Sequence, residues 1–370
     1  MKITVLSHNL SSNAVLRAHR VALAAQQFAE VKLIGPAQSA AGLWPALPRE
    51  PWIESVKEKR FPEFQESFLE LIHKCDGDVL IAVKPHLASY GAALIAREVR
   101  GVPLILDHDD YDMAFSPRDL WVEKPTMADL QRPASAVYLS LFTKASGAAD
   151  AITTASTALQ KKFGGTLLPH GCVTELFDPA KVDREAARKE FGFTGPTVLF
   201  PGTPRLHKGI KPLAKAVRKI KGAQLAVFCR DEDLRESEWA EYPILRLPLI
   251  PYSRMAEVLA AADVLAVPQL DTKPARYQMP MKVYDCMAMA RPIVATSVSD
   301  LPRVLDGCGR IVSPEDYRAL REAIKEMLKH PDRAEKLGAL ARERCLRDYS
   351  MPAIGEILRG VVEQVLQPRK

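Results

Sequence analysis

The sequence predicts an α/β protein built from two doubly wound parallel sheets. Three observations carry that expectation. Short apolar runs rich in β-branched residues alternate with segments of helical period along nearly the whole chain, the pattern of parallel strands crossed over by helices. The alternation lapses near Asp178–Asp183 and then restarts. The length, 370 residues, suits two domains of ordinary size better than one or three.

The elements follow in order. Ile3–Ser7 reads as a strand, Ala14–Phe28 has helical spacing, and Val31–Ile34 is a strand again. Gly35–Trp52, with Trp44, Pro45, Pro48, Pro51 and Trp52, reads as an irregular excursion. Helix Phe64–His73, strand Val79–Val83, helix Ala88–Arg97 and strand Pro103–Leu106 come next. Ala151–Thr154, a helix through Ala155–Phe163, and Thr166–Leu168 close the first series. The second opens with a charged helix, Asp183–Phe191, stopped by Gly192. Strand Thr197–Phe200 leads into the turn Pro201–Pro204 and a helix over Gly209–Ile220. Then come strand Gln224–Phe228, helix Ser253–Ala261, strand Val264–Val267, helix Lys282–Ala290, strands Ile293–Thr296 and Arg310–Val312, and three C-terminal helices. Parallel sheets of this kind bind ligands beyond the carboxyl ends of their strands, so a cleft between two such edges is the expected site.

Composition narrows the function classes. Apolar residues make up 47% and charged residues 26%, ordinary values for a globular chain. The net charge of +6 admits anionic ligands, but the densest basic run, Lys57-Glu58-Lys59-Arg60, is too short to mark a nucleic-acid binder. No two of the six cysteines form a C-x-x-C pair, so they read as reduced core thiols. The opening Met1–Asn9 lacks the long apolar run and cleavage site of a leader, and no stretch approaches the length of a bilayer span. A cytoplasmic protein is the expectation. The fingerprints of Walker A loops, dinucleotide-binding turns, α/β-hydrolases and zincins are all absent.

Four local patterns carry chemistry. Phe200-Pro201-Gly202-Thr203-Pro204-Arg205-Leu206-His207-Lys208-Gly209 ends a strand in a Gly/Pro turn and sets two cations before a helix start, a place suited to a pyrophosphate. Gln278-Met279-Pro280-Met281-Lys282-Val283-Tyr284-Asp285 opens a helix at Pro280, with Asp285 one turn in and able to accept the two hydroxyls of a ribose. Asp107-His108-Asp109-Asp110-Tyr111 follows a buried strand and could hold a metal, act as a base or grip a polyol, although it lacks the second ligand group that makes a metal site specific. His170, after Leu168-Pro169, is a lone imidazole at a strand end.

In order and spacing these residues resemble the retaining glycosyltransferases of the GT-B fold, family 4. The resemblance is carried by Asp78-Val79-Leu80 through Pro103–Asp107, by Ala149–Thr153 with Ser156, and by Leu168–Cys172 with Phe177-Asp178-Pro179. Ala262–Leu265 with Pro268, and Ala288–Thr296, extend it over nearly the whole chain. Pro280-Met281-Lys282 is similar to the Pro-x-Lys turn of a subgroup that builds cell-surface polysaccharides. The resemblance implies two Rossmann-like domains facing a central cleft. Residues 1–180 would bind the acceptor and be rejoined by a helix over 351–370, and residues 181–350 would bind the donor.

Roles follow position by position. Arg205 and Lys208 fall where the family grips the donor pyrophosphate. Pro280, Met281 and Lys282 fall at its distal phosphate, and Asp285 falls where a Glu usually bonds the ribose. Asp109 stands where many members carry a His facing acceptor and donor sugar. Ser12, Asn13, His108 and His170 are further candidates for the acceptor side. The sequence also departs from the pattern. Tyr277 stands where the first of two paired glutamates is expected, His170 replaces a common Asn, and Ala290 replaces a usual Gly, a mild change on this reading.

The resulting expectation is transfer of a sugar from a nucleotide-diphosphate sugar, a UDP-sugar first among them, to a glycan or lipid-linked acceptor. Configuration would be retained, with no metal and no cofactor. Two rivals remain at this stage: a non-catalytic nucleotide-sugar-binding scaffold and a sugar-nucleotide epimerase of the same fold. The Trp44–Trp52 excursion, followed by Lys57, Lys59 and Arg60, also suggests peripheral contact with an anionic membrane face.

Overall fold

The computed structural model describes residues 1–38, 42–45, 47–115, 124–229, 239 and 241–367. Residues 39–41 and 46 of the expected excursion, and 368–370 of the expected C-terminal helix, lie outside them. The chain divides into two compact units, Met1–His170 with Met351–Lys370, and Gly171–Ser350.

Seven parallel strands form the first sheet: β1 (Lys2–Ser7), β2 (Glu30–Ala37), β3 (Ile53–Lys57), β4 (Val79–Val83), β5 (Leu104–His108), β6 (Ala151–Thr154) and β7 (Thr166–Leu167). Their order is β3-β2-β1-β4-β5-β6-β7, so the winding reverses between β1 and β4. Both faces of the central strands are covered, and Val79–Val83 is buried at every residue, which is why the sequence there is an unbroken apolar run.

Helix Val15–Ala25 covers one face, and helix Met351–Leu366 lies against it. Ile354, Leu358, Val361 and Val362 join Val15, Ala18, Val21 and Ala22 in one core. The approach is close. A Cβ on Gly355 would stand 2.9 Å from the carbonyl oxygen of Ala24.

The excursion after β2 is part of that core. Trp44 and Trp52 pack against it, Trp52 stacks on His19 at 5.6 Å, and the Trp44 amide donates to Leu10 O at 2.7 Å. Both indoles are half-buried and pack against the core of their own unit.

Six parallel strands form the second sheet: β8 (Thr197–Phe200), β9 (Gln224–Phe228), β10 (Leu245–Leu247), β11 (Val264–Val267), β12 (Ile293–Thr296) and β13 (Arg310–Val312). Their order is β10-β9-β8-β11-β12-β13, with the reversal between β8 and β11. All six cysteines are free and buried, and four of them (Cys172, Cys286, Cys308 and Cys345) lie in one core cluster of this unit. No described helix is long and apolar enough to cross a membrane.

Candidate functional site

In the second unit the turn after β8 and the segment after β11 meet at the switch point. Gly209 makes the meeting possible. Its φ is +71°, and a Cβ there would lie 1.8 Å from the carbonyl oxygen of Pro268, so only glycine fits. The expected helix over Gly209–Ile220 is shorter, Ile210–Val217, and a 3₁₀ turn at Leu206–Lys208 precedes it.

That turn delivers Lys208 inward. Its Nζ donates to Oε1 of Gln269 at 3.0 Å and to Oε1 of Gln278. An amide oxygen positions an ammonium without neutralising it. Gln269 is buried, its backbone carbonyl accepts from Thr296 Oγ1 at 2.7 Å, and its Nε2 has no partner among the described residues. A buried donor left in this state is ready for an incoming oxygen. Arg205, one turn earlier, is exposed.

Gln278 begins the second expected motif, so Lys208 ties together two patterns 70 residues apart. Helix Lys282–Ala288 starts two residues later than Pro280, with Met281 as its cap. Pro280 lacks an N–H and instead accepts from the Val283 amide at 3.1 Å. Pro280, Met281 and Tyr277 are half-buried, Tyr277 at the end of helix Lys273–Tyr277. Lys282 reaches the β8 turn: a Cβ on Gly202 would be 3.9 Å from its Cδ. Burial lowers the Lys282 pKa from its ordinary value, with Asp285 opposing. Asp285 is buried at 1% exposure and accepts from the Tyr252 hydroxyl at 3.1 Å. Sequence reasoning passed over Tyr252 and Gln269 and gave Gln278 no role beyond opening its motif. Gln269 alone had a usable signal, standing just beyond the buried strand β11.

The first unit gathers a separate cluster at the ends of β1, β4 and β5. Asp107 lies in the sheet, not in a metal site. Arg17 donates to it from Nε (2.8 Å) and Nη2 (2.7 Å), and Thr153 Oγ1 adds a third bond at 2.7 Å. His108 turns the other way, stacked on Phe163 at 3.9 Å with Nε2 3.1 Å from Ser146 Oγ, and burial lowers its pKa to about 4. It is a core histidine. Among the described residues no group of three His, Cys, Asp or Glu side chains is arranged to hold a metal ion.

Lys84, also missed from sequence, organises the remaining acids. It has φ +66° and is 6% exposed, and its Nζ lies 2.9 Å from Asp112, 3.0 Å from Asp110 and 3.7 Å from Asp109. Burial disfavours its charge, but the three carboxylates outweigh that and hold its pKa well above the ordinary value. Burial likewise pushes Asp109 up to about 7, with Asp110 adding to the shift and Lys84 and Arg17 opposing it. His170 is brought to Asp109, Nε2 to Oδ1 at 3.4 Å, while its Nδ1 lies 3.4 Å from Arg17 Nη1. Because the guanidinium can only donate, the ring proton sits on Nε2, facing Asp109. Ser12 and Asn13 stand just before helix Val15–Ala25, where the Ser12 hydroxyl accepts from the Ala14 amide at 3.4 Å and Asn13 is exposed.

These positions can be set beside known proteins. Residues 195–330 match the family model described as Glycosyl transferases group 1. That segment holds Arg205, Lys208, Gln269, Gln278, Lys282 and Asp285. The chain is 29% identical over 181 residues to alpha-maltose-1-phosphate synthase of Mycolicibacterium smegmatis, a match covering 46% of this chain and 41% of that protein. It thus spans well under two thirds of that relative's length.

Among solved structures, sucrose-phosphate synthase from Thermosynechococcus elongatus superimposes with a TM-score of 0.75 at 18% identity, covering 99% of each chain. The Anabaena protein HepE, solved in complex with UDP-glucose, gives 0.72 at 13% identity over 98% of this chain and all of its own. Likeness of this degree establishes the fold, two parallel-sheet Rossmann-like units of the GT-B type.

Proposed function

We propose that the protein is a nucleotide-sugar-dependent glycosyltransferase whose donor site is the carboxyl edge of the second sheet. One observation carries the reading: Lys208 joins the β8 turn to Gln278 and the Pro280-Met281-Lys282 turn, within the segment that resembles glycosyl transferases group 1. Arg205, Lys208 and Lys282 would hold the donor diphosphate, and the free Nε2 of Gln269 would donate to one of its oxygens. Asp285 would accept the ribose hydroxyls, shared with Tyr252. A UDP-sugar is the donor we favour, supported by the UDP-glucose bound in the structurally similar HepE.

In the reaction the bond between the sugar's anomeric carbon and the β-phosphate oxygen breaks, and an acceptor hydroxyl attacks on the same face. The departing phosphate takes the acceptor's proton, and configuration is retained. Preorganised cations stabilise the charge that develops on the diphosphate, so the proposed mechanism uses no metal. Residues of the first unit, Asp109 and His170 foremost, would serve the acceptor and the transferred sugar. We take that acceptor to be a glycan or a lipid-linked sugar, which would place the enzyme in the cytoplasm.

The test is a thermal-shift panel of UDP, GDP, ADP and TDP and their sugars, followed by product analysis with the stabilising donor. One nucleotide diphosphate should stabilise the chain above the rest, and the product should keep the donor's anomeric configuration in excess chelator. No stabilisation by any nucleotide would refute the donor site. An inverted product, or activity restored by magnesium or manganese, would refute the mechanism.

A further inference from the structure

Two helices pack side by side on one face of the second sheet. Leu213, Ala214 and Val217 of helix Ile210–Val217 share a core with Leu320, Ala323 and Ile324 of helix Tyr317–Lys329. The first of these helices leaves the donor turn and runs back toward the amino edge of the sheet, where β9 starts at Gln224. Lys215, Arg218, Lys219 and Lys221, in its last turn and just beyond, therefore lie on the way to the edge opposite the donor site.

The outer sides of the two helices form one basic face. Lys215 Nζ lies 4.1 Å from the centroid of the Tyr317 ring, and the Arg318 guanidinium carbon lies 5.9 Å from the same centroid. Arg218 covers the Tyr242 ring at 5.0 Å, and Lys219 and Lys221 are exposed. Among the described residues none of these five cations has an ion pair. The neighbouring acids are engaged elsewhere or stand apart. Asp316 accepts from the amides of Arg318 and Ala319 at 2.9 and 3.0 Å, and Glu322 pairs with Arg321 at 2.6 Å. Glu241 and Glu315 are exposed and form no ion pair with the five. The positive field is felt by the Tyr317 hydroxyl, whose pKa is held below its ordinary value by a hydrogen bond with Arg318 and then by Lys215 and Lys219. Like charges gathered this way repel one another until a counter-charge arrives.

We propose that this face docks an acidic segment of a partner protein, whose carboxylates pair with Lys215, Arg218, Lys219, Lys221 and Arg318. A nucleic-acid strand stacks its bases on open aromatic faces, and here Lys215 and Arg218 already cover the rings. A helix that lies on a bilayer inserts apolar side chains, and no large apolar residue of these two helices is exposed among the described residues. Carboxylates need neither an open ring nor an apolar anchor. The inference does not depend on the donor reading.

The experiment uses the whole chain and a fluorescent peptide of Glu-Ala-Ala-Glu repeats, followed by anisotropy. A twin peptide with Gln for every Glu, a single-stranded RNA, and phosphatidylcholine vesicles carrying phosphatidylglycerol are the alternatives. Two variants change the face, Lys215→Gln/Lys219→Gln and Arg218→Glu/Lys221→Glu. A third, Lys161→Gln/Lys162→Gln, changes exposed lysines of the first unit. The acidic peptide should bind at least about 10-fold tighter than its Gln twin, lose that margin in both face variants and keep it in the third. A smaller margin in the wild type, a margin that either face variant keeps, or one that the third variant also loses would overturn the proposal. RNA or vesicles binding tighter than the peptide through the same cations would overturn it too. So would peptide binding that emerges only when Asp231, Glu232 and Asp233 are changed to Asn, Gln and Asn, since the face would then belong to the chain's own acids.

Discussion

The Nε2 atom of His170 stands 3.4 Å from Oδ1 of Asp109, although 61 positions of chain separate them. The imidazole proton faces a carboxyl whose pKa burial has pushed up to about 7. The Asp109 carboxyl therefore changes charge near neutrality with the imidazole beside it.

A pH dependence follows from Asp109. Its folded pKa lies above the ordinary 3.8, so the folded chain holds this proton more tightly than the unfolded one. The stability it contributes is fully present below about pH 4 and is lost as pH rises through about 7. In urea unfolding at a series of pH values, Asp109→Asn should show a smaller decline between pH 4 and 7 than the wild type. The same variant should lower turnover more than UDP affinity. Parallel pH curves for the two proteins would show that Asp109 titrates elsewhere.

Lys208 should matter for affinity. A hydrogen bond to a charged group is worth about 1.5–3 kcal/mol, so Lys208→Ala should weaken UDP binding by about 10–100-fold. Far-UV circular dichroism should stay unchanged. Titration calorimetry giving the wild-type affinity would remove the pyrophosphate assignment.

Asp285 is buried and accepts from the Tyr252 hydroxyl. If it also accepts from ribose, wild type should bind 2′-deoxy-UDP more weakly than UDP, and Asp285→Ala should bind the two alike. Tyr252→Phe, which removes that hydroxyl but keeps the carboxylate, should keep the discrimination. Equal preference in wild type and Asp285→Ala would put the ribose elsewhere.

Ala290 holds φ at +54°, a left-handed conformation that costs an alanine about 1–2 kcal/mol. The substitution read from sequence as mild is thus a strained one. Ala290→Gly should raise unfolding free energy by about 1 kcal/mol in guanidinium titrations, glycine's greater unfolded freedom offsetting part of the relief. A less stable variant would mean that the local backbone is held by something other than the residue's own preference.

Arg17 and Asp107 form a two-pronged ion pair, each side chain no more than 1% exposed. Removing one partner from such a pair costs about 3–5 kcal/mol, because the other is left charged and buried. Arg17→Met should unfold at markedly lower denaturant, and adding Asp107→Leu should recover part of the loss. Additive losses in the double variant would contradict the pairing.

The sheets were legible because a parallel strand covered on both faces must be apolar throughout, and Val79–Val83 or Val264–Val267 can hardly be read otherwise. Arg205 and Lys208 stood out in the sequence because they lie in one short stretch after β8. Lys84 was not, since its meaning depends on carboxylates about 25 positions away. It does follow a buried strand, though, and the rule that drew attention to Asp107–Tyr111 applies equally to Lys84-Pro85-His86. Arg17 hid in a helix whose pattern looked merely amphipathic. The packing of Trp44 and Trp52 was not legible, because large indoles amid prolines carry no helical or strand period, and only the fold shows the core they lean on.

The union of helix Met351–Leu366 with helix Val15–Ala25 has a consequence for biogenesis. Gly171–Ser350 is a continuous stretch and can complete its core once translated, whereas the first unit must wait for residues 351–366. On the ribosome the earlier-made half therefore keeps the face of helix Val15–Ala25 that receives Met351–Leu366 uncovered until the later-made half has passed. During that interval the nascent chain presents a binding surface for chaperones, and truncation before residue 351 should leave that surface permanently exposed.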